Sequence, residues 1–210
     1  MTREHPEPAP ALPARAADDA LPAAIGPYRI LRRLGAGAMG VVYEARHAER
    51  GERVALKTLH DLDPGALFRL KNEFRRLADL RHPNLASLYE LASDGGRWFL
   101  TMEFIDGVDF VTYVRQDPAT SAERARRALA QLADVLRSLH AAGTLHRDVK
   151  SSNVMVTRDG RLVLVDFGLA GDGPSSDQET TDSDVFLGTP AYMSPEQAAG
   201  LPPTAASEWY

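Results

Sequence analysis

The chain has 210 residues, 44% of them hydrophobic and 25% charged, and a net charge of −5, which places it among globular proteins able to bury one or two cores. It holds no cysteine, which excludes disulfides, thiolate nucleophiles and cysteine-bound zinc, and its six histidines lack the spacing of a metal site. No apolar run reaches the ~18 residues of a membrane span, and the N-terminus lacks a secretory signal pattern, so a cytoplasmic protein with no membrane segment is expected. Charge is uneven: no Lys or Arg follows Arg161, residues 162–210 carry −8 and the remainder +3, so nucleic acid is not an expected partner.

Residues 1–24 are rich in Pro and Ala and read as a disordered tail. From Tyr28 to Phe104 the pattern is that of strands: YRILRRL, GVVYEARH, RVALKTL, then LASLYELAS and RWFLTMEF joined by Asp94-Gly95-Gly96, a hairpin turn. One helix interrupts them. It follows Asp63 as N-cap and Pro64 at its first position, with Leu67, Leu70, Phe74 and Leu77 at helical spacing. A longer helix opens at Thr120, with Glu123 in capping-box spacing, carries Leu129, Leu132, Leu136 and Leu139 on one face and stops at Gly143. A polar loop, HRDVKSSN (146–153), then leads into two short apolar runs, NVMV and LVLVDFG, linked by a tight turn at Asp159-Gly160.

Three features carry chemistry. Gly35, Gly37 and Gly40 stand in GxGxxG spacing, where the missing Cβ lets backbone N–H groups approach phosphate oxygens. A dinucleotide-binding loop shares this spacing but opens a helix, whereas both flanks here are strand-like, which fits a hairpin lid over a nucleotide. Lys57 lies in an apolar strand and needs an acidic companion and an anionic ligand; Glu73 on the first helix is the candidate, and a snorkelling Lys57 beside a solvated Glu73 is the plain alternative. The loop 146–153 gathers a base, two cations and an amide within eight residues.

In order, GxGxxGxV, VALK, an acidic helix residue, HRDxxxxN, DFG (166–168) and GTPAYMSPE (188–196) resemble the signature set of protein kinases, and HRDVKSSN with GTPAYMSPEQ is most similar to bacterial serine/threonine kinases. The resemblance implies an α+β, two-lobe kinase-like fold: a five-stranded antiparallel sheet with one helix over 25–105, and a mainly helical second lobe, incomplete here, over 106–210. It implies ATP and Mg2+ as cofactors and a protein substrate bearing Ser or Thr. By the same resemblance, Asp148 is the base that orients the substrate hydroxyl and Lys150 neutralises the transferred phosphate. Asn153 and Asp166 hold metal, and Lys57, held by Glu73, grips the α- and β-phosphates. Leu34, Val42, Ala55 and Met155 would sandwich adenine, with Met102 as gatekeeper, Glu103 to Ile105 offering backbone groups and Asp109 near the ribose, although each apolar residue taken singly reads as plain core.

Further expectations follow from the resemblance. Thr189 would line the hydroxyl site, and His146, Phe167 and Leu77 would stack as packing between the lobes. A phosphate in the segment 171–186, at Thr180 or Thr181 before Ser175, Ser176 or Ser183, would pair with Arg147, with self-association for autophosphorylation a possible route. Glu196 would be structural, though the arginine that the family pairs with it is absent from this sequence, and Glu208 stands where the family has Asp. Because the sequence stops where the family opens a long hydrophobic helix, residues 1–210 alone are expected to expose Leu129, Leu132, Leu136 and Leu139 and to lack turnover. An inactive nucleotide-binding fragment is the second reading.

Overall fold

The computed structural model of the chain describes residues 21–37, 40–60, 62–167 and 190–210. Among these residues there are nine strands: β1 (Ala24–Ile25), β2 (Tyr28–Gly37), β3 (Gly40–His47), β4 (Arg53–Thr58), β5 (Leu88–Asp94), β6 (Arg97–Glu103), β7 (Gly107–Asp109), β8 (Val154–Thr157) and β9 (Leu162–Leu164). The helices are α1 (Pro64–Ala78), α2 (Phe110–Arg115), α3 (Ser121–Ala141) and α4 (Pro195–Ala198). β1 to β6 form one antiparallel sheet in the order β1-β2-β3-β4-β6-β5, and β7-β8-β9 form a second.

The first sheet has six strands rather than the expected five, and the added one, β1, begins at Ala24, inside the segment read as tail. Its cause is Ile25, buried with Tyr28, Ile30, Val54, Leu56 and Phe99 on the outer face of the sheet. Ala24 is exposed, so the burial of this one apolar side chain accompanies the added pairing. Alternation along β4 sends Val54 and Leu56 to this outer cluster and Ala55 and Lys57 to the opposite face. The β5–β6 turn pairs Asp94 with Arg97 across Gly95 and Gly96, which have φ of 55° and 83°, the two left-handed positions that a two-residue hairpin demands.

α1 begins as the sequence predicts, with Asp63 Oδ1 accepting from Gly65 N at 2.8 Å and Ala66 N at 2.9 Å, and these bonds hold its carboxyl below the ordinary range. The start of α3 differs. Thr120 donates its hydroxyl to Asp117 at 2.8 Å and makes no cap bond, while Glu123 pairs with Arg127 at 2.6 Å and Arg126 at 3.2 Å, so the predicted capping box does not form. Asp117 wins because it closes a local turn, also accepting from Ala119 N, before the helix begins. The buried face of α3 consists of Ala128, Val135, Leu136 and Leu139, with Leu132 partly buried and Leu129 50% exposed. Of the four leucines expected to be uncovered, Leu136 and Leu139 are therefore enclosed.

One continuous core joins the two lobes. Ala55, Leu70, Leu77, Leu88, Leu100 and Met102 from the first pack with Val135, Leu136, Leu139, Val154, Leu164 and Phe167 of the second. The link preceding β5 docks on β9, where Ala86 N donates to Leu164 O at 3.0 Å and Leu164 N to Asn84 O at 2.9 Å.

Candidate active site

The glycine hairpin stands beside Lys57 by strand register, since Gly35 lies opposite Val42 and Val42 opposite Lys57. Gly40 has φ of 141°, and a Cβ there would meet Thr58 O at 1.7 Å, so this glycine is demanded by the fold itself. A Cβ at Gly35 or Gly37 would meet nothing within 4 Å. Their lack of a side chain serves no packing need of the protein, and the space beside them is open to a ligand.

Lys57 is buried, 6% exposed, and forms an ion pair with Asp166. The expected Lys57–Glu73 pair is not formed: Glu73 Oε1 lies 3.7 Å from Arg147 Nη1. The reason lies in the backbone, because Asp166 has φ of 58° and turns its carboxylate to Lys57, while Arg147, at φ 68°, extends toward α1. These are the two non-glycine residues with positive φ among those described, and both belong to the loops that carry the polar residues.

Below Lys57, Asp148 accepts from Asn153 Nδ2 at 2.8 Å and pairs with Lys150 Nζ at 2.7 Å through the same oxygen, Oδ2. Asn153 Nδ2 also donates to Asp148 O at 2.9 Å, so both its protons are engaged and the Oδ1 acceptor is left for a cation. Asn153 O accepts from Val165 N at 2.8 Å, tying the residue to the strand end that carries Asp166. Among the described residues, no group of three or more His, Cys, Asp or Glu side chains gathers into a cage. One carboxylate and one amide oxygen fit a hard divalent cation that takes its remaining ligands from water and phosphate.

The loop is held from beneath. Glu208 accepts from Arg147 N at 2.5 Å through Oε1 and from the His140 ring at 2.7 Å through Oε2. His146 stacks on Phe167 with ring centroids 5.1 Å apart, and Phe167 shares its core with Leu77, which is the packing role expected for all three. His146 Nε2 lies 3.2 Å from Val165 O, which makes Nε2 the donor, and burial pushes its pKa below the ordinary 6.5.

The residues expected around adenine divide. Val42, Ala55 and Met102 belong to the inter-lobe core, Ile105 and Met155 pack in a smaller cluster with Val163, and Leu34 is 39% exposed. Glu103 N donates to Ser87 O at 2.8 Å, and its carboxylate takes Arg161 at 2.9 Å, so that N–H is not offered to a ligand. Asp109 caps α2: its oxygens accept from Thr112 N at 3.0 Å and Thr112 Oγ1 at 2.6 Å, which hold its carboxyl low. Glu196 accepts from Ser207 Oγ at 2.5 Å. Thr189, Gly168 and the serines and threonines between 175 and 183 lie outside the described residues. Sequence reasoning missed Glu44, buried on β3 between Arg32 and Arg53; the signal was a charged residue at an inward position of an alternating strand.

A curled antiparallel lobe with a glycine hairpin, joined by a short link to a lobe whose loop presents Asp148, Lys150 and Asn153, defines a two-lobed protein with these polar residues beside the hairpin. The sequence pattern of the family described as protein kinase domain matches residues 28–210. The chain belongs to the protein kinase family. It is 35% identical over 185 residues to the serine/threonine-protein kinase PknH of Mycobacterium tuberculosis, covering 87% of this chain and 29% of that protein. It is 36% identical over 203 residues to the serine/threonine-protein kinase Pkn1 of Myxococcus xanthus, covering 93% of this chain and 29% of that one. The chain thus spans about a third or less of the curated relatives it matches. The crystal structure of the Mycobacterium tuberculosis PknI kinase domain superposes with a TM-score of 0.65 at 27% identity, covering 90% of this chain and 73% of that one.

Proposed function

We propose that the chain carries the catalytic machinery of an ATP-dependent serine/threonine protein kinase, transferring the γ-phosphate of Mg-ATP to protein hydroxyls. The observation that supports this most is the convergence of Lys57, Asp166, Asn153, Asp148 and Lys150 beside a glycine hairpin with open space at Gly35 and Gly37. Phosphoryl transfer asks for positioning and charge stabilisation rather than covalent chemistry, and these residues supply both. Asp148 accepts the hydroxyl proton and orients the nucleophile, and Lys150 on the same carboxylate balances the charge that gathers on the phosphate. Asn153 Oδ1 and Asp166 would hold Mg2+, which supplies neutralisation of phosphate oxygens when bound. Lys57 would hold the α- and β-phosphates, and Asp166, its present partner, would be the carboxylate available to the metal. No described helix is long and apolar enough to cross a membrane, and we place the activity in the cytoplasm, where ATP is supplied.

The test is to incubate the full-length protein with radiolabelled Mg-ATP and a generic protein substrate, then to identify the phosphoamino acids. Phosphoserine and phosphothreonine are expected. Nucleotide binding without any transfer, from a preparation of intact full-length protein, would favour the inactive binding module instead.

A further inference from the structure

Glu44 is 6% exposed, yet nothing in the chemistry above uses it. Its neighbours Tyr43 and Ala45 pack on the outer cluster, so Glu44 faces the cleft side of β3 with Val42, and it lies opposite Ala55. A carboxylate so placed needs full pairing. It receives Arg32 Nε at 2.7 Å on Oε2, and on Oε1 it receives Arg53 Nε at 3.0 Å and Nη2 at 2.8 Å. The forked contact with Arg53 is a geometry that lysine cannot copy. Arg53 in turn lies 4.3 Å over the Phe104 ring and 4.0 Å from Asp106 Oδ2, both in the link between the lobes.

The contacts therefore run unbroken from β2 through β3 and β4 to residues 104–106. They also meet a weak place in the ladder, because the β2–β3 register shifts between Ile30 and Arg32 and again between Arg33 and Gly35, on either side of the stretch that carries Arg32. Backbone pairing alone holds the base of the glycine hairpin loosely there, and the Arg32–Glu44 bond crosses the gap.

We propose that Glu44 is a positioning residue which, through Arg32 and Arg53, fastens the glycine hairpin to the inter-lobe link and so sets how tightly the cleft holds an adenine nucleotide. The inference rests on reading that cleft as a nucleotide site. Glu44 has no bond to Lys57, Asp148, Asn153 or Asp166, so its loss acts on binding and leaves transfer at saturation intact. Arg32 and Arg53 are 60% and 42% exposed, and such arginines contribute little as isolated surface pairs; the leverage comes from the buried carboxylate they share.

The experiment measures the Kd of a fluorescent ADP analogue, and KM and kcat for ATP, in the full-length protein. Glu44→Gln keeps the shape and removes the charge, and is expected to raise Kd and KM about ten-fold with kcat within about two-fold, while Glu44→Asp recovers part of the affinity. Should Glu44→Gln fail to fold, Arg53→Gln, on a half-exposed side chain, decides the matter with a smaller rise in the same two quantities. Unchanged Kd in the variants beside a wild type that binds overturns the positioning role alone, as does a fall in kcat at constant KM. A wild type that binds no nucleotide overturns the reading of the cleft itself.

Discussion

His146 shows how one buried side chain couples the loop 146–153 to solution conditions. The ring is 1% exposed, donates from Nε2 to Val165 O and has no partner at Nδ1 among the described residues. Burial is the largest influence on it and lowers its pKa, although Glu208, Asp148 and Asp166 pull the other way. The unfolded chain therefore binds the proton more readily than the folded one, and the resulting stability is present above the unfolded value of 6.5 and lost as pH falls through and below it. Melting temperature should drop as pH falls below about 6.5, and His146→Phe should flatten that dependence while losing the single hydrogen bond to Val165, worth ~1 kcal/mol. An acid slope unchanged in His146→Phe would show that other groups set it. At this scale proximity was legible: Asp148, Lys150 and Asn153, read within one eight-residue loop, contact one another through Asp148 Oδ2. Pairings were least legible. Nothing in the spacing of Glu73 and Lys57 tells that Asp166 takes the lysine and Arg147 the glutamate, since that choice is made by two left-handed backbone positions.

Elements were readable where a local cause decides them. Asp63 with Pro64 starts α1, and Gly95-Gly96 turns β5 into β6. They were misread where a neighbour outbids the local signal, as Asp117 does for Thr120, or where one buried side chain suffices, as Ile25 does in β1. The face of α3 is a quantitative case. A helical leucine stripe implies that Leu129 and Leu136 matter equally, but Leu129 is 50% exposed whereas Leu136 is 2% exposed, and Val135 beside it is fully enclosed. The helix is turned so that Ala128 and Val135 share its inward face. Leu136→Ala should cost ~2 to 5 kcal/mol in denaturant unfolding, by lost burial and a cavity, and Leu129→Ala about 0.5 kcal/mol or less. Equal losses at the two positions would return the helix to the orientation that the leucine spacing alone implies.

At the scale of the whole molecule, the two lobes share one apolar core in which Met102, Leu77 and Phe167 bring the sheet, α1 and the segment that carries Asp166 together with Val154, next to Asn153. The order of motifs along the chain made this plan legible, because each motif fixes one strand end or loop of a fold whose remaining segments need only join them. The cluster Arg32–Glu44–Arg53 was not legible, since it joins strands through side chains rather than through a motif. The account stands on Asp148 acting as the base in a cleft assembled by that shared core. Asp148→Asn retains the bulk of the side chain and an acceptor for Lys150, so folding and nucleotide affinity should persist. Its rate of phosphate transfer at saturating Mg-ATP, measured beside its nucleotide Kd in the full-length protein, is the most direct test. The account predicts a fall in kcat of ~10² to 10⁴ with Kd within about three-fold; transfer near the wild-type rate would contradict it.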